Sequence, residues 1–331
     1  MKKNIAILAG GNSSEFPVSM NSAKTLEDSL KNTDYNVYKI ILKGNSWKLH
    51  MNNEEFEVNK NDFSVNLENE KIAFDCALII IHGTPGENGL LQGYFETLGI
   101  PYSTCGVLSS SLTFNKIFSK NYIGRYGIAV SKFKMISKGI PYSTDEILKE
   151  TGLPCFVKPN RGGSSFGITK VFEEKELKPA IEKAFEEDHE VLVEEFLEGT
   201  ELTCGLIKTD DKEYIFPSTE IVSKNEFFDY EAKYTKGMAD EITPARISEE
   251  LEKEVQQLSS KIYDIFDCRG IVRIDYIYTK GQLYFMEVNT IPGMSAASIV
   301  PQQIEAAGYS LQEILVIAIE DAIKNNQKEG A

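Results

Sequence analysis

The sequence predicts an α/β protein whose first third folds as a parallel sheet with helical crossovers, followed by two further units mixing strands and helices. Three observations carry this expectation. Short apolar runs at residues 4–9, 38–42 and 77–81 have the length of buried strands. Helical periodicity separates them, and strands alternating with helices imply parallel pairing. The later chain adds two glycine-punctuated groups of strands. At about 100–200 residues per domain, 331 residues suit two or three units. We expect boundaries giving residues 1–104, 105–198 and 199–331.

Taken in order, residues 4–9 read as a buried strand. Pro17 suits the first turn of a helix, in which Met20, Ala23, Leu26 and Leu30 recur near a 3.6-residue period. Residues 38–42 form a second strand, and 44–73 read as small strands and turns decorating the first unit. Residues 77–81 are a third buried strand, ending in a loop at 82–89 before a helix at 90–98. The second unit opens near Thr104 and carries a helix at about 115–126. Strands at 156–158 and 168–170 flank a glycine loop. A helix at 174–185 then presents Leu177, Ile181 and Phe185 on one face, before a strand at 191–194. The third unit starts near Gly199. Its polar stretch 224–244 is a candidate mobile loop. Ser248 can cap a helix with the apolar stripe Leu251, Val255, Leu258, Ile262 and Phe266, and Gly270 suits its C-terminal cap. A hairpin runs over 271–289.

Composition narrows the function. The formal charge of −15 repels nucleic acid and anionic membrane, so any phosphate ligand needs a few local cations or a metal. The five cysteines form no CxxC pair and read as reduced, mostly buried thiols of a cytosolic protein. Met1-Lys2-Lys3 followed by a short apolar run imitates a signal peptide. The run ends in Gly10-Gly11, which fits a strand entering a glycine loop better. No stretch approaches the roughly 20 apolar residues of a membrane helix.

Three motifs carry chemistry. The segment from Lys158 to Gly167 contains Gly162, Gly163 and Gly167, with Ser164 and Ser165. Glycines admit backbone N–H groups close to phosphate, although an ordinary turn would look alike. It lacks the GK[ST] of a Walker A loop. In the hairpin, Arg273 and Asp275 share a strand face, as do Glu287 and Asn289. Their oxygens are hard ligands suited to Mg²⁺. The surrounding Ile271, Val272, Ile274, Phe285, Met286 and Val288 argue against a solvated face. For Asp275 and Glu287 to oppose each other in a regular ladder, the loop must be odd: Lys280-Gly281-Gln282, or the five residues 279–283. Finally, Gly293 could offer a backbone N–H to an oxyanion, or form a simple Pro-Gly turn.

Together these motifs resemble the ATP-grasp superfamily, and within it the D-alanine:D-alanine ligases, over nearly the whole chain. Gly10-Gly11-Asn12-Ser13-Ser14-Glu15 with Val18-Ser19 is similar to their opening motif. His82-Gly83 with Gly86-Glu87-Asn88-Gly89 is similar to the second. Asp229 to Tyr234 resembles their substrate-covering loop, and Asn289 to Pro301 their C-terminal motif. Thr84-Pro85 and Gly162 depart from the usual pattern without removing a reactive group.

The resemblance implies an ATP-grasp fold, a homodimer, and roles position by position. Glu15 would hold the ammonium of the first D-alanine, with Val18 and His82 nearby. Lys116 and Lys158 would contact ATP phosphates. Glu194 and Glu201 would meet the nucleoside, and the backbone of Phe196 and Leu197 the adenine. Lys233 would reach the transferred phosphate. Asp275, Glu287 and Asn289 would ligate two Mg²⁺ ions, with Mn²⁺ as an alternative. Arg273 and the Gly293 N–H would stabilise the oxyanion. Ser298 and the backbone of Ile299 would take the second carboxylate, while Ser164 and Tyr234 would bond with Glu15.

The implied reaction is the joining of two D-alanine molecules for cell-wall synthesis. ATP phosphorylates the first carboxylate, and the second amine attacks the acyl phosphate. The competing expectations are a ligase using D-lactate or another acceptor, and a non-catalytic nucleotide-binding module. The resemblance implies an amine acceptor at the Lys233-Tyr234 pair, because the lactate-using ligases it resembles differ there. Retention of Asp275, Glu287, Asn289 and Arg273 together favours catalysis.

Overall fold

The computed structural model describes residues 2–68, 70–163, 167–223 and 239–329. Strand β1 (Lys3–Gly10) enters helix α1 (Phe16–Leu30) through two glycines with φ near +100°, and a proline stands in the helix's first turn. Helix α1 buries Ser19, Ser22, Ala23, Leu26 and Leu30. Strand β2 (Tyr35–Lys43) and strand β7 (Cys76–Ile79) both pair in parallel with β1. The expected parallel sheet is therefore present as the group β2-β1-β7.

The decorating segment is more ordered than its sequence implies. Strands β3 (Ser46–Met51), β4 (Glu54–Asn59), β5 (Ser64–Asn66) and β6 (Lys71–Ala73) extend the same sheet as an antiparallel run, in the order β6-β5-β4-β3-β2-β1-β7. Asn52 and Asn53, both at positive φ, close the β3–β4 hairpin in the way a two-residue turn requires. Trp47, Phe63, Phe74, Tyr94 and Phe95 pack edge-on or tilted beneath this extension.

Helices α2 (Leu90–Leu98), α3 (Val107–Phe114) and α4 (Lys116–Gly124) lead into a four-stranded sheet ordered β10-β9-β11-β8. Its strands are β8 (Phe133–Ser137), β9 (Cys155–Pro159), β10 (Thr169–Val171) and β11 (Glu190–Glu195), all antiparallel. Helices α5 (Thr144–Thr151) and α6 (Glu174–Ala184) cover it.

The third sheet holds β12 (Thr200–Lys208), β13 (Glu213–Ile215), β14 (Thr219–Ser223), β15 (Ala239–Ile242), β16 (Val272–Thr279) and β17 (Gln282–Asn289). The end of the polar stretch, read as loop from sequence, is thus strand β15 paired with β14. Helix α7 (Glu249–Ile265) begins as expected, with Ser248 Oγ accepting from the Leu251 N–H at 3.3 Å. Its C-cap is Phe266, not Gly270. Gly270 serves a different need: at φ +66° it passes the Ser103 carbonyl so closely that a Cβ would lie 2.1 Å from it. Helices α8 (Ile299–Ala306) and α9 (Leu311–Glu329) return to the first sheet. There Met294, Val300, Ile304, Ile314, Leu315 and Ile319 join the core of β1, β7 and α1.

The β16–β17 hairpin corrects the expected loop. Thr279 pairs with Gln282 across a two-residue turn in which Lys280 and Gly281 both have positive φ, the signature of a type I′ turn. Asp275 still pairs with Glu287. A bulge between Asp275 and Tyr276 leaves Met286 without an opposite number and restores the shared face that an even loop would have cost. All five cysteines are buried thiols, and no described helix is long and apolar enough to cross a membrane.

Candidate active site

The four-stranded and six-stranded sheets and the loops of the first sheet enclose a cleft of about 1380 Å³. Glu15, Lys116, Lys158, Glu194, Glu201, Asp275 and Glu287 line it, as do Phe196 and Leu197. In a chain of net charge −15, this gathers the local cations that a phosphate ligand needs.

One wall is built on β9, β11 and α4. Asn115 caps α4 by accepting from the Phe118 N–H at 3.0 Å, and the Lys116 N–H donates to the Asn160 carbonyl at 3.3 Å. The side chain of Lys116 then reaches both the Gly162 carbonyl at 2.8 Å and Glu287 Oε2 at 3.3 Å, tying the glycine loop to β17. Lys158 pairs with Glu194, which also bonds Lys120 and Ser131. Burial alone would raise the Glu194 pKa, but Lys120 and Lys158 override it and hold the carboxyl well below the usual range. The charged Glu194 is therefore engaged by lysines. Beside it, Phe196 stacks edge-on to Phe156 at 5.8 Å and lies under Lys170 Nζ at 3.9 Å, an apolar shelf with cationic cover.

The opposite wall is the hairpin. Arg273 grips Asp275 with two bonds, Nε to Oδ1 at 2.8 Å and Nη2 to Oδ2 at 2.7 Å. Thr203 Oγ1 donates to Asp275 Oδ1 at 2.5 Å, and Asn289 Nδ2 to Oδ2 at 3.0 Å. Burial disfavours the Arg273 charge, but Asp275 raises its pKa beyond the ordinary arginine value. Among the described residues no three His, Cys, Asp or Glu side chains gather as a metal cage. Opposed carboxylates facing the cleft, Asp275 and Glu287, with the Asn289 amide bonded to the first, suit a hard cation that keeps substrate phosphate oxygens in its shell. Turning the Asn289 amide would present its oxygen to such a cation.

The end of the cleft holds a second group. Gly83 and Gly163 both approach the Glu15 carboxylate, where a Cβ would come within 3.6 and 2.9 Å of Oε2. His82 does not line the cleft. It lies buried behind it, with Nδ1 donating to the Ile291 carbonyl at 2.9 Å and Nε2 bonded to nothing among the described residues. Burial lowers its pKa, so a neutral ring offers a lone pair at Nε2. Gly293 and Ser298 follow on the same loop, and Ile299 opens α8. The loop's shape is held by Ser295 N–H and Oγ on Ser298 Oγ at 3.1 and 2.8 Å, and by the Met294 N–H on Ser22 Oγ at 3.1 Å. Val18 sits half-buried on α1 and does not line the cleft. Ser164, Lys233 and Tyr234 lie outside the described residues.

Sequence reasoning missed Lys120, Ser22 and Thr203, and quoted Glu87 within a motif without giving it a role. Glu87 accepts from the Gly83 N–H at 2.6 Å, and burial and then Glu15 push its carboxyl up to about 8. An acid whose folded pKa lies above its usual 4.5 keeps a proton that the unfolded chain has released. Its stabilising contribution is present below about pH 4.5 and is lost as pH rises towards about 8. Glu87→Gln, neutral throughout, should flatten that part of the stability profile in urea titrations between about pH 5 and about pH 8. An unchanged slope would remove Glu87 as its source.

A family model described as D-ala D-ala ligase N-terminus matches residues 4–105, and one described as D-ala D-ala ligase C-terminus matches residues 123–320. The D-alanine–D-alanine ligase of Phocaeicola vulgatus is 50% identical over 323 residues, covering 97% of this chain and 99% of that one. That of Azobacteroides pseudotrichonymphae is 51% identical over 321 residues, covering 96% and 99%. Among solved structures, the VanG D-Ala:D-Ser ligase from Enterococcus faecalis has a TM-score of 0.86 at 34% identity, covering 97% of this chain and 100% of that one. The D-alanine–D-alanine ligase from Bacillus anthracis complexed with ATP has a TM-score of 0.79 at 31% identity, covering 99% of both chains.

Proposed function

This chain belongs to the D-ala D-ala ligase family, and we propose that the cleft residues divide the work of its reaction as follows. The protein is an ATP-using ligase of the ATP-grasp fold that joins two D-alanine molecules. Glu15 holds the ammonium of the first D-alanine, with His82 and Val18 set back from the cleft lining. Lys116 and Lys158 receive ATP phosphates, the backbone of Phe196 and Leu197 receives adenine, and Glu194 and Glu201 border the nucleoside. Lys233 reaches the transferred phosphate, and Ser164 and Tyr234 bond with Glu15.

A carboxylate is a poor acyl donor, so its phosphorylation by ATP comes first and concentrates negative charge. Asp275, Glu287 and Asn289 would hold two Mg²⁺ ions, with Mn²⁺ as an alternative, and the metal would supply positive charge against that build-up. Arg273, oriented by both oxygens of Asp275, and the Gly293 N–H stabilise the oxyanion formed when the second amine attacks. Ser298, at the start of α8, and the backbone of Ile299 take the second carboxylate. Water would hydrolyse the acyl phosphate, so the reaction needs it kept out. We place the protein in the cytoplasm, as a homodimer.

The observation that carries this reading is the opposition of Asp275 and Glu287 across β16–β17, with Arg273 on one and Lys116 on the other. A coupled ADP-release assay over D-alanine, D-serine, D-lactate and L-alanine tests it. Release with D-alanine and almost none with L-alanine is expected. Release only with another acid would keep the chemistry and overturn the substrate.

A further inference from the structure

Lys116 and Lys158 reach the cleft, but Lys120 does not. It lies one helical turn after Lys116 on α4, and its side chain is fully buried. Lysine is almost never found so deep without partners, because its ammonium loses its water. Here Nζ finds partners on three separate pieces of chain. They are Glu194 Oε1 on β11 at 2.5 Å, Ser131 Oγ ahead of β8 at 3.0 Å, and the Phe285 carbonyl on β17 at 3.4 Å. The four-stranded and six-stranded sheets therefore meet at one ammonium. The backbone is stitched at the same place, where the Phe285 N–H donates to the Ala129 carbonyl at 2.8 Å.

Glu194 is 1% exposed and shares its charge: Oε1 faces Lys120 and Ser131, while Oε2 faces Lys158. With both oxygens fixed, the carboxylate fixes Lys158 Nζ at the cleft wall. Without the Lys120 charge, Lys158 would be the only ammonium left to neutralise a buried carboxylate. Its existing pairing with Glu194 would tighten, and it would be less free to engage a phosphate.

We propose that Lys120 is a positioning residue for the ligation, acting through Glu194 to hold Lys158 where an ATP phosphate can reach it. The inference rests on the reading of the cleft as the ATP site. Because Lys120 acts through Lys158, its effect on ATP must disappear when Lys158 is absent.

A double-mutant cycle tests this, using Lys120→Met, Lys158→Ala and the double variant, with ATP affinity by calorimetry and steady-state kinetics on each. Lys120→Met should lower kcat/KM for ATP by up to about 100-fold, the scale of a displaced binding group, while the KM for D-alanine stays near its starting value. The double variant should bind ATP no more weakly than Lys158→Ala alone. Should Lys120→Met not fold, Lys120→Gln, which keeps N–H donors for Glu194 and Ser131, takes its place in the cycle. Losses that multiply in the double variant, or wild-type ATP affinity in Lys120→Met, would overturn the proposal. ADP release by the unmodified protein, measured alongside, separates that result from failure of the ligase reading itself. Calorimetry completes the cycle whichever acceptor is used.

Discussion

Glu287→Gln should lower kcat by on the order of 10³, equivalent to about 4 kcal/mol in the barrier, while the protein remains folded. The exchange keeps the shape of the side chain and removes the charge that would hold a cation against ATP phosphates. Its structural cost is small because the pair with Lys116, at 3.3 Å, involves a carboxylate side chain 30% exposed. Stability should therefore change by no more than about 1 kcal/mol. Mn²⁺ titration in the presence of ATP should show weakened metal binding alongside the lost turnover. Full turnover at saturating Mg²⁺ would exclude Glu287 as a ligand.

Arg273→Lys should cost about 10²–10³ in kcat, the scale of one lost oxyanion donor. Charge is conserved in this variant, so the loss isolates geometry. The guanidinium spans both oxygens of Asp275 at 2.8 and 2.7 Å, and a lysine ammonium cannot span both in the same plane. Asp275 would keep Thr203 and Asn289 as donors, so stability should fall by only about 1–3 kcal/mol. Kinetics indistinguishable from the unmodified protein would mean that Arg273 serves Asp275 alone and not the reaction.

The parts legible in the sequence were those whose signal is local. Strand alternation put Arg273 with Asp275 and Glu287 with Asn289, and the structure keeps both pairs on one ladder. Ser248 announced its helix because a capping hydroxyl acts within three residues. The hairpin loop was misjudged because counting assumes a regular ladder, and the bulge at Met286 changes the parity without any mark in composition. Gly270 looked like a helix cap because a positive φ is all that a cap demands. Its real constraint is the approach of Ser103, distant in the chain. Lys120 was invisible for a similar reason: on a helix it looks like any solvated lysine. Only the arrival of Glu194, Ser131 and Phe285 from elsewhere makes it a buried one.

The central claim is that ATP activates the first D-alanine at its carboxylate before the second amine attacks. Supplying D-alanine with ¹⁸O in its carboxylate and following the label in the released phosphate tests this most directly. Attack of that carboxylate on the terminal phosphoryl group makes a C–O–P bridge, and the amine then breaks the C–O bond, so the oxygen leaves with phosphorus. One ¹⁸O in each inorganic phosphate formed, with dipeptide and unlabelled ADP, is the predicted result. Phosphate free of label, or label appearing in AMP, would contradict the account.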